Sequence, residues 1–249
     1  MLQVNDLSKS FGGLRAVSGV TFHAGEATIH SIIGPNGAGK TTLFNLITGA
    51  FKPQTGTVRF GGMDITGWAP ERLAKLGVVR TFQRTSVFKK LSAIENVALA
   101  IRTRENFGRS IWHSQRREQR VLDEAAGVLE TVGLRNREHD ITGQLAHGLQ
   151  RALDIAFGLA LKPRLILMDE PLAGMSRGDR ETVAALVLKL RDLLKLTVIV
   201  VEHDVGMVMR LSDRITVMQQ GQVIAEGVPG EIRDNEAVRN AYLKGEFAS

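Results

Sequence analysis

The stretch Gly34-Pro35-Asn36-Gly37-Ala38-Gly39-Lys40-Thr41-Thr42 follows directly on an apolar run at residues 27–33. A buried strand runs into a glycine-rich loop, and a helix begins near Lys40. The glycines permit tight curvature, so successive backbone N–H groups converge on one anion. The helix N-terminus adds the positive end of its dipole. Lys40 then reaches the β- and γ-phosphates of a nucleoside triphosphate, and the Thr41 hydroxyl is placed to ligate Mg²⁺. This strand–loop–helix unit predicts triphosphate binding without distinguishing ATP from GTP.

The 249 residues are 43% hydrophobic and 23% charged, which suits one sizeable globular domain or a domain plus a subdomain. The absence of cysteine excludes disulfides and thiolate metal sites. No apolar run approaches the roughly 18 residues of a membrane helix. The N-terminal residues lack the basic and apolar regions of a signal peptide. The chain is therefore expected to be soluble by itself. A net charge of +6 permits an anionic membrane surface or nucleic acid as neighbour without choosing between them.

Along the chain, residues 2–23 read as short strands around a Gly12-Gly13 turn. Residues 40–47 read as a helix ending at Gly49, and 57–60 and 78–82 as further strands. From about 88 to 160 the pattern becomes helical. Val121, Leu122, Ala125, Leu129 and Val132 share one face, as do Leu149, Leu153, Ala156 and Ala160. Buried strands return at 164–168 and 197–201, separated by a helix marked by Val183, Leu186, Val187, Leu190 and Leu194. A hairpin is expected around Gly221, and a helix over 231–243. Strands alternating with helices imply an α/β fold with a parallel sheet, into which the helical stretch is inserted.

Asp169 and Glu170 follow the strand Leu165-Ile166-Leu167-Met168, where open α/β sheets place ligands. Asp169 suits Mg²⁺ binding through water, and Glu170 suits general-base activation of the attacking water. His203 follows another strand end and would approach the γ-phosphate. Gln83 ends the strand-like 78–82 segment, where its amide could meet both Mg²⁺ and water. Phe11 either stacks on a base or packs in the core. The other histidines show no ligand spacing, so no zinc is expected.

The order of phosphate loop, Gln83, Leu145-Ala146-His147-Gly148-Leu149-Gln150-Arg151, Asp169-Glu170 and His203 resembles the ATPase subunit of ABC transporters over essentially the whole chain. Arg80-Thr81-Phe82-Gln83, Ala173-Gly174, Glu202-His203-Asp204 and Ala241-Tyr242-Leu243 make it most similar to ATP-binding subunits of branched-chain amino-acid importers. Urea-importer and lipopolysaccharide-exporter ATPases look similar.

The resemblance implies a single ABC ATPase domain over 1–249, a P-loop NTPase with a mostly parallel RecA-like sheet. It assigns 1–87 and 161–249 to the nucleotide-binding core with an N-terminal antiparallel β subdomain. Residues 88–160 become a helical subdomain carrying the signature loop. It further implies ATP and Mg²⁺ as ligands, with Lys40, Gln83, Glu170 and His203 catalytic and Thr41, Gln83 and Asp169 at the metal. The nucleotide would touch Phe11, Gly34, Pro35, Asn36, Gly37, Ala38, Gly39, Lys40, Thr41 and Thr42. Ala146, Gly148 and Gln150 would act from the signature loop on the nucleotide of a second ATPase subunit. Two transmembrane permease subunits, and indirectly a periplasmic solute-binding protein, are the other implied partners. The implied location is peripheral, on the cytoplasmic face of the inner membrane.

Three positions depart from the family pattern. Ala146 stands where the signature carries serine, with Leu149 at the next polar position, and Ser176 stands where many relatives carry aspartate. Alanine cannot donate the serine's hydrogen bond to a γ-phosphate, a loss of roughly 1.5–3 kcal/mol. A heterodimer with one weak site is therefore expected. Residues 102–120 carry arginines in excess over glutamates, either as a solvated helix face or as a contact for lipid headgroups or the partner ATPase. The rival functions are a soluble nucleic-acid or ribosome factor and a nucleotide-sensing module. The single ATPase unit without a long heptad run disfavours the first, so no nucleic acid is expected. Intact Lys40, Asp169, Glu170 and His203 disfavour the second.

Overall fold

The computed structural model describes residues 1–81, 87–105 and 115–242. Two strands open the chain, β1 (Leu2–Phe11) and β2 (Leu14–Ala24), paired antiparallel across the Gly12-Gly13 turn. After β3 (Ile29–Ile33), β4 (Thr55–Phe60) pairs with the other edge of β1, and the short β5 (Met63–Asp64) pairs with β4. This makes a four-stranded antiparallel sheet in the order β2-β1-β4-β5.

The central sheet adds β6 (Val78–Thr81), β7 (Leu165–Asp169), β8 (Thr197–Val201), β9 (Arg214–Gln219) and β10 (Gln222–Gly227) to β3. Its order is β10-β9-β3-β8-β7-β6. All pairings are parallel except the β9–β10 hairpin. Strands β3, β7 and β8 are buried at every residue, as expected for parallel strands covered on both faces.

Helix α1 (Lys40–Ile47) follows β3 and buries Leu43, Phe44, Leu46 and Ile47. Helix α2 (Pro70–Leu76) precedes β6. Between β6 and β7 lie α3 (Ala93–Arg104), α4 (Gln115–Thr131) and α5 (His147–Leu159). Val97, Ile101, Val121, Ala125, Leu129, Leu153 and Ala156 form their shared core. Ser92 and Glu95 close a capping box at the start of α3. The buried Asn96 amide donates to the Phe88 and Ser92 carbonyls and to Thr142 Oγ1, fixing the entry to this layer. Three arginines of the basic run pair within the layer: Arg102 with Glu118, Arg104 with Glu124, and Arg117 with Glu105, while Arg116 and Arg120 are exposed. That favours the solvated-face reading for the described part; residues 106–114 of the run lie outside the described residues.

Helices α6 (Arg177–Leu194), α7 (Val205–Leu211), α8 (Pro229–Asp234) and α9 (Glu236–Tyr242) complete the chain. The helix expected over 231–243 is two pieces. Asn235 has extended φ and ψ, and its Oδ1 accepts from the Val238 N–H at 3.1 Å, capping α9 and ending α8. Leu194, expected on the apolar face of α6, is 51% exposed, at the last residue of the helix before the left-handed Lys195. The sequence reading also passed over α2 and α7, each a two-turn helix of seven residues, too short to show a period.

Two polar residues interrupt the central strand. Ser31 Oγ lies 2.6 Å from Ser212 Oγ, and His30 Nε2 lies 2.8 Å from Thr216 Oγ1. Burial, then the charges of Arg214 and His23, push the His30 imidazole down to about 4. The unfolded chain takes up this proton near pH 6.5 and the folded chain only near 4, so this contribution to stability is present above 6.5 and lost on acidification. Between those limits the loss is about 1.4 kcal/mol per pH unit. Urea unfolding at pH 7 and pH 5 should show this drop in wild-type protein and a clearly smaller one in His30→Gln.

Candidate active site

Strands β7, β8 and β3 lie side by side and parallel, so the loops leaving their C-terminal ends emerge together. Those loops carry Glu170, His203 and the 34–39 turn. They share an open cleft of about 480 Å³ lined by residues 36–42, Glu170, His203, Leu14, Arg15, Ala16 and Gln220.

The loop owes its shape to two glycines at close backbone approaches. A Cβ on Gly34 would fall 2.2 Å from the Met218 carbonyl oxygen, and one on Gly39 2.3 Å from that of Ala16. Gly39 has φ 96, a conformation open to glycine, and caps α1 without a side-chain bond. The first helical bond of α1 runs from the Leu43 N–H to the Gly39 carbonyl. The amides of Lys40, Thr41 and Thr42 therefore precede the ladder and point out of the helix end. The Lys40 ammonium is buried in the loop and donates to the Gly34 and Pro35 carbonyls at 2.6 and 3.1 Å. Burial lowers its pKa, against the opposing charges of Glu170 and Asp169. A phosphate entering the loop would restore a full counter-charge to it.

Asp169 ends β7 and is buried. Its Oδ2 accepts from Arg80 at 3.1 Å, while its buried Oδ1 has no hydrogen-bond partner among the described residues. Burial raises its pKa, and the neighbouring Arg80 pulls the other way with less effect. An orphaned carboxylate oxygen beside a phosphate loop fits a cation ligand, and the exposed Thr41 hydroxyl at the start of α1 is the matching neutral donor. Among the described residues, no group of three or more His, Cys, Asp or Glu could by itself hold a metal ion. A cation here would therefore lean on phosphate oxygens.

Glu170 has φ 48, and its N–H donates to the Val201 carbonyl at 2.8 Å. This left-handed step directs its side chain into the cleft, where Oε1 lies 2.5 Å from His203 Nε2. Glu202 supports the pair from behind. It is buried, accepting from the Leu172 N–H at 2.8 Å and the His203 N–H at 3.1 Å.

Lys40, Asn36, Gly37, Ala38, Gly39, Thr41, Thr42, Glu170 and His203 thus meet as expected, with Gly34 and Pro35 held behind them by Lys40. Gln83 lies outside the described residues. Phe11 does not line the cleft. It is 44% exposed and meets Phe51 edge to face at 5.4 Å, while Leu14, Arg15, Ala16 and Gln220 occupy the far end. Ala146 caps α5, Gly148 lies in its first turn, and neither reaches this cleft. Gln150 needs correcting as a nucleotide contact: its side chain is buried and its Nε2 donates to the Leu145 carbonyl at 2.8 Å, so it shapes the loop from within. Sequence reasoning missed Arg15, Gln220 and the support from Glu202. Only the Gly221 turn hinted at Gln220, and no local pattern reveals that β2 packs there.

Residues 17–173 match the family model for the ABC transporter. This chain belongs to that family. Residues 222–243 match a second model, the branched-chain amino acid ATP-binding cassette transporter. The chain is 41% identical over 248 residues to the high-affinity branched-chain amino acid transport ATP-binding protein BraF of Pseudomonas aeruginosa, covering 98% of this chain and 97% of BraF. Among solved structures it is similar to the ADP conformation of MJ1267, an ATP-binding cassette of an ABC transporter, with TM-score 0.87, 30% identity and coverage of 98% and 99%. A dimeric cassette, MJ0796, matches at TM-score 0.75 and 27% identity over 92% of this chain and 99% of its own. The chain is accordingly an ABC ATPase with the α/β cassette fold, and the cleft is the candidate site for its nucleotide.

Because burial raises the pKa of Asp169, keeping it ionised at neutral pH opposes folding. Asp169→Asn should hold or raise the urea midpoint at pH 7, while ATP turnover falls roughly 10²-fold or more.

Proposed function

We propose that this chain is one of two ATPase subunits that energise import of branched-chain or related amino acids through separate membrane permease subunits. The observation that carries this reading is the match of its C-terminal residues 222–243 to the branched-chain amino acid cassette model, beyond the general ABC match. The full-length likeness to BraF supports it. Among the described residues no helix is long and apolar enough to cross a membrane, which fits a subunit held at the cytoplasmic face by partner chains. In such an assembly a periplasmic solute-binding protein would meet the permeases rather than this chain.

The cleft holds the triphosphate with the phosphate loop. The amides at the start of α1 and the Lys40 ammonium meet the β- and γ-phosphates. Thr41 and Asp169, with Gln83, would hold Mg²⁺, which when bound neutralises developing phosphate charge. Glu170 accepts the proton from the attacking water as its oxygen bonds to the γ-phosphorus and the bond to ADP breaks. His203 holds the Glu170 carboxylate in place, and Glu202 holds His203. Leu14, Arg15 and Gln220 lie at the end of the cleft away from Glu170's strand and suit the base and ribose.

Residues 88–160 act as the helical subdomain. Their signature loop, Ala146 to Gly148, lies outside this chain's own cleft, so it serves a nucleotide on a second cassette. The dimeric MJ0796 cassette supports a paired arrangement. We assign the partner as a different ATPase chain, because Ala146 leaves the partner's site without one hydrogen bond and a heterodimer keeps the other site intact.

Reconstituting the chain with its permeases and second ATPase in vesicles should give ATP-dependent uptake of leucine or a related aliphatic amino acid. Uptake of urea alone, or binding to RNA instead of the permeases, would overturn the reading. In that complex Glu170→Gln should retain ATP binding and lose turnover by roughly 10²–10⁴-fold. Ala146→Ser should raise ATPase activity about 10-fold or more if the missing hydrogen bond limits turnover. Unchanged activity would remove the weak-site assignment.

A further inference from the structure

Arg151 lies in the second turn of α5, directly after the loop read as the signature. Its guanidinium is buried against the other end of the site. Nε donates to the Pro171 carbonyl at 2.9 Å, and Nη2 reaches the Glu170 and Asp169 carbonyls at 3.3 and 3.4 Å. Nη1 donates to Asp154 Oδ2, one turn further along α5, at 3.0 Å. The three carbonyls belong to consecutive residues that include both site carboxylates. They lie where β7 ends: Asp169 is its last residue, paired opposite Val201, and Glu170 and Pro171 follow it.

The first turn of α5 also presses on α6. A Cβ on Gly148 would fall 2.8 Å from Asp179 Oδ1, and Asp179 is bonded to the capping Ser176. The segment from 169 to 176 is thus held on one side by β8, through the Glu170–Val201 bond, and on the other by α5.

We infer that Arg151 is a positioning residue for ATP hydrolysis, aligning the Glu170 carboxylate by gripping the 169–171 carbonyls and tying that alignment to the position of the 146–148 loop. It rests on the proposed roles of Glu170 as base and of that loop as the face presented to a second cassette's nucleotide. A shift of α5 when two cassettes close moves the guanidinium and the backbone it grips together. The contact therefore connects the nucleotide a chain touches in its partner with the base that acts on its own. A planar fork with several N–H donors is needed to hold three carbonyls and one carboxylate together. A lysine ammonium keeps the charge and loses that geometry.

The test uses the assembled two-cassette complex carrying Arg151→Lys or Arg151→Met. It measures kcat and KM for MgATP, affinity for a fluorescent ATP analogue without Mg²⁺, and the urea midpoint of the isolated chain. Both variants should keep KM and analogue affinity within about threefold, while kcat falls about 10- to 100-fold for methionine and less for lysine. Wild-type kcat in a folded Arg151→Lys variant would overturn the inference, whether or not the methionine variant folds. So would a loss of analogue affinity that parallels the loss of kcat. An inert wild-type complex would overturn the proposed function and this inference with it; active wild type with unaffected variants overturns this inference alone.

Discussion

Glu170 sits in a left-handed backbone conformation while its amide stays tied to the neighbouring strand. Its N–H still bonds to the Val201 carbonyl, one step beyond the last residue of β7, with φ at 48. A non-glycine residue at such a φ carries a conformational penalty of order 1–3 kcal/mol and persists only where surroundings over-determine it. Here they do. The sheet grips the amide, Arg151 grips the carbonyl, and His203 takes the carboxylate. The direction of the Glu170 carboxylate, and hence the geometry of the cleft, depends on that single bent residue.

The strand order gives the bend its use. β8 lies between β3 and β7, so a phosphate loop, a histidine and two carboxylates far apart in sequence emerge from neighbouring strand ends. Asp169 and Lys40 are both poorly solvated, and burial moves each away from its ordinary charge preference. Each would be relieved by an arriving partner: a phosphate for the lysine, a cation for the Asp169 Oδ1, which has no hydrogen-bond partner among the described residues. The site is arranged for ligands carrying both charges at once.

The phosphate loop was legible because its glycines, lysine and threonine sit within one short segment whose flanks have the required periods. Asp169, Glu170 and His203 were legible as strand ends, and the all-buried strands β7 and β8 showed as apolar runs, while β3 showed through its isoleucines despite His30 and Ser31. What escaped was non-local. Arg15 and Gln220 come from opposite ends of the chain, and nothing near either marks the cleft. Gln150 was misread because a glutamine beside a loop looks the same whether it faces a ligand or caps a carbonyl. The division at Asn235 was hidden because apolar spacing continues across the break while the capping bond is a single side-chain contact.

The β9–β10 turn has a meaning its hairpin form conceals. The Gly221 carbonyl accepts from the Ser18 N–H at 2.8 Å, and the Gly221 N–H donates to the Ala38 carbonyl at 3.0 Å. A Cβ there would come within 2.9 Å of the Ala16 carbonyl oxygen. Surface hairpins usually tolerate changes of length. This one is the keystone between the antiparallel sheet and the phosphate loop, so one inserted residue would drive Gln220 into the nucleotide's space and unseat the loop. Relatives that vary freely elsewhere on their surfaces should hold this turn to a fixed length.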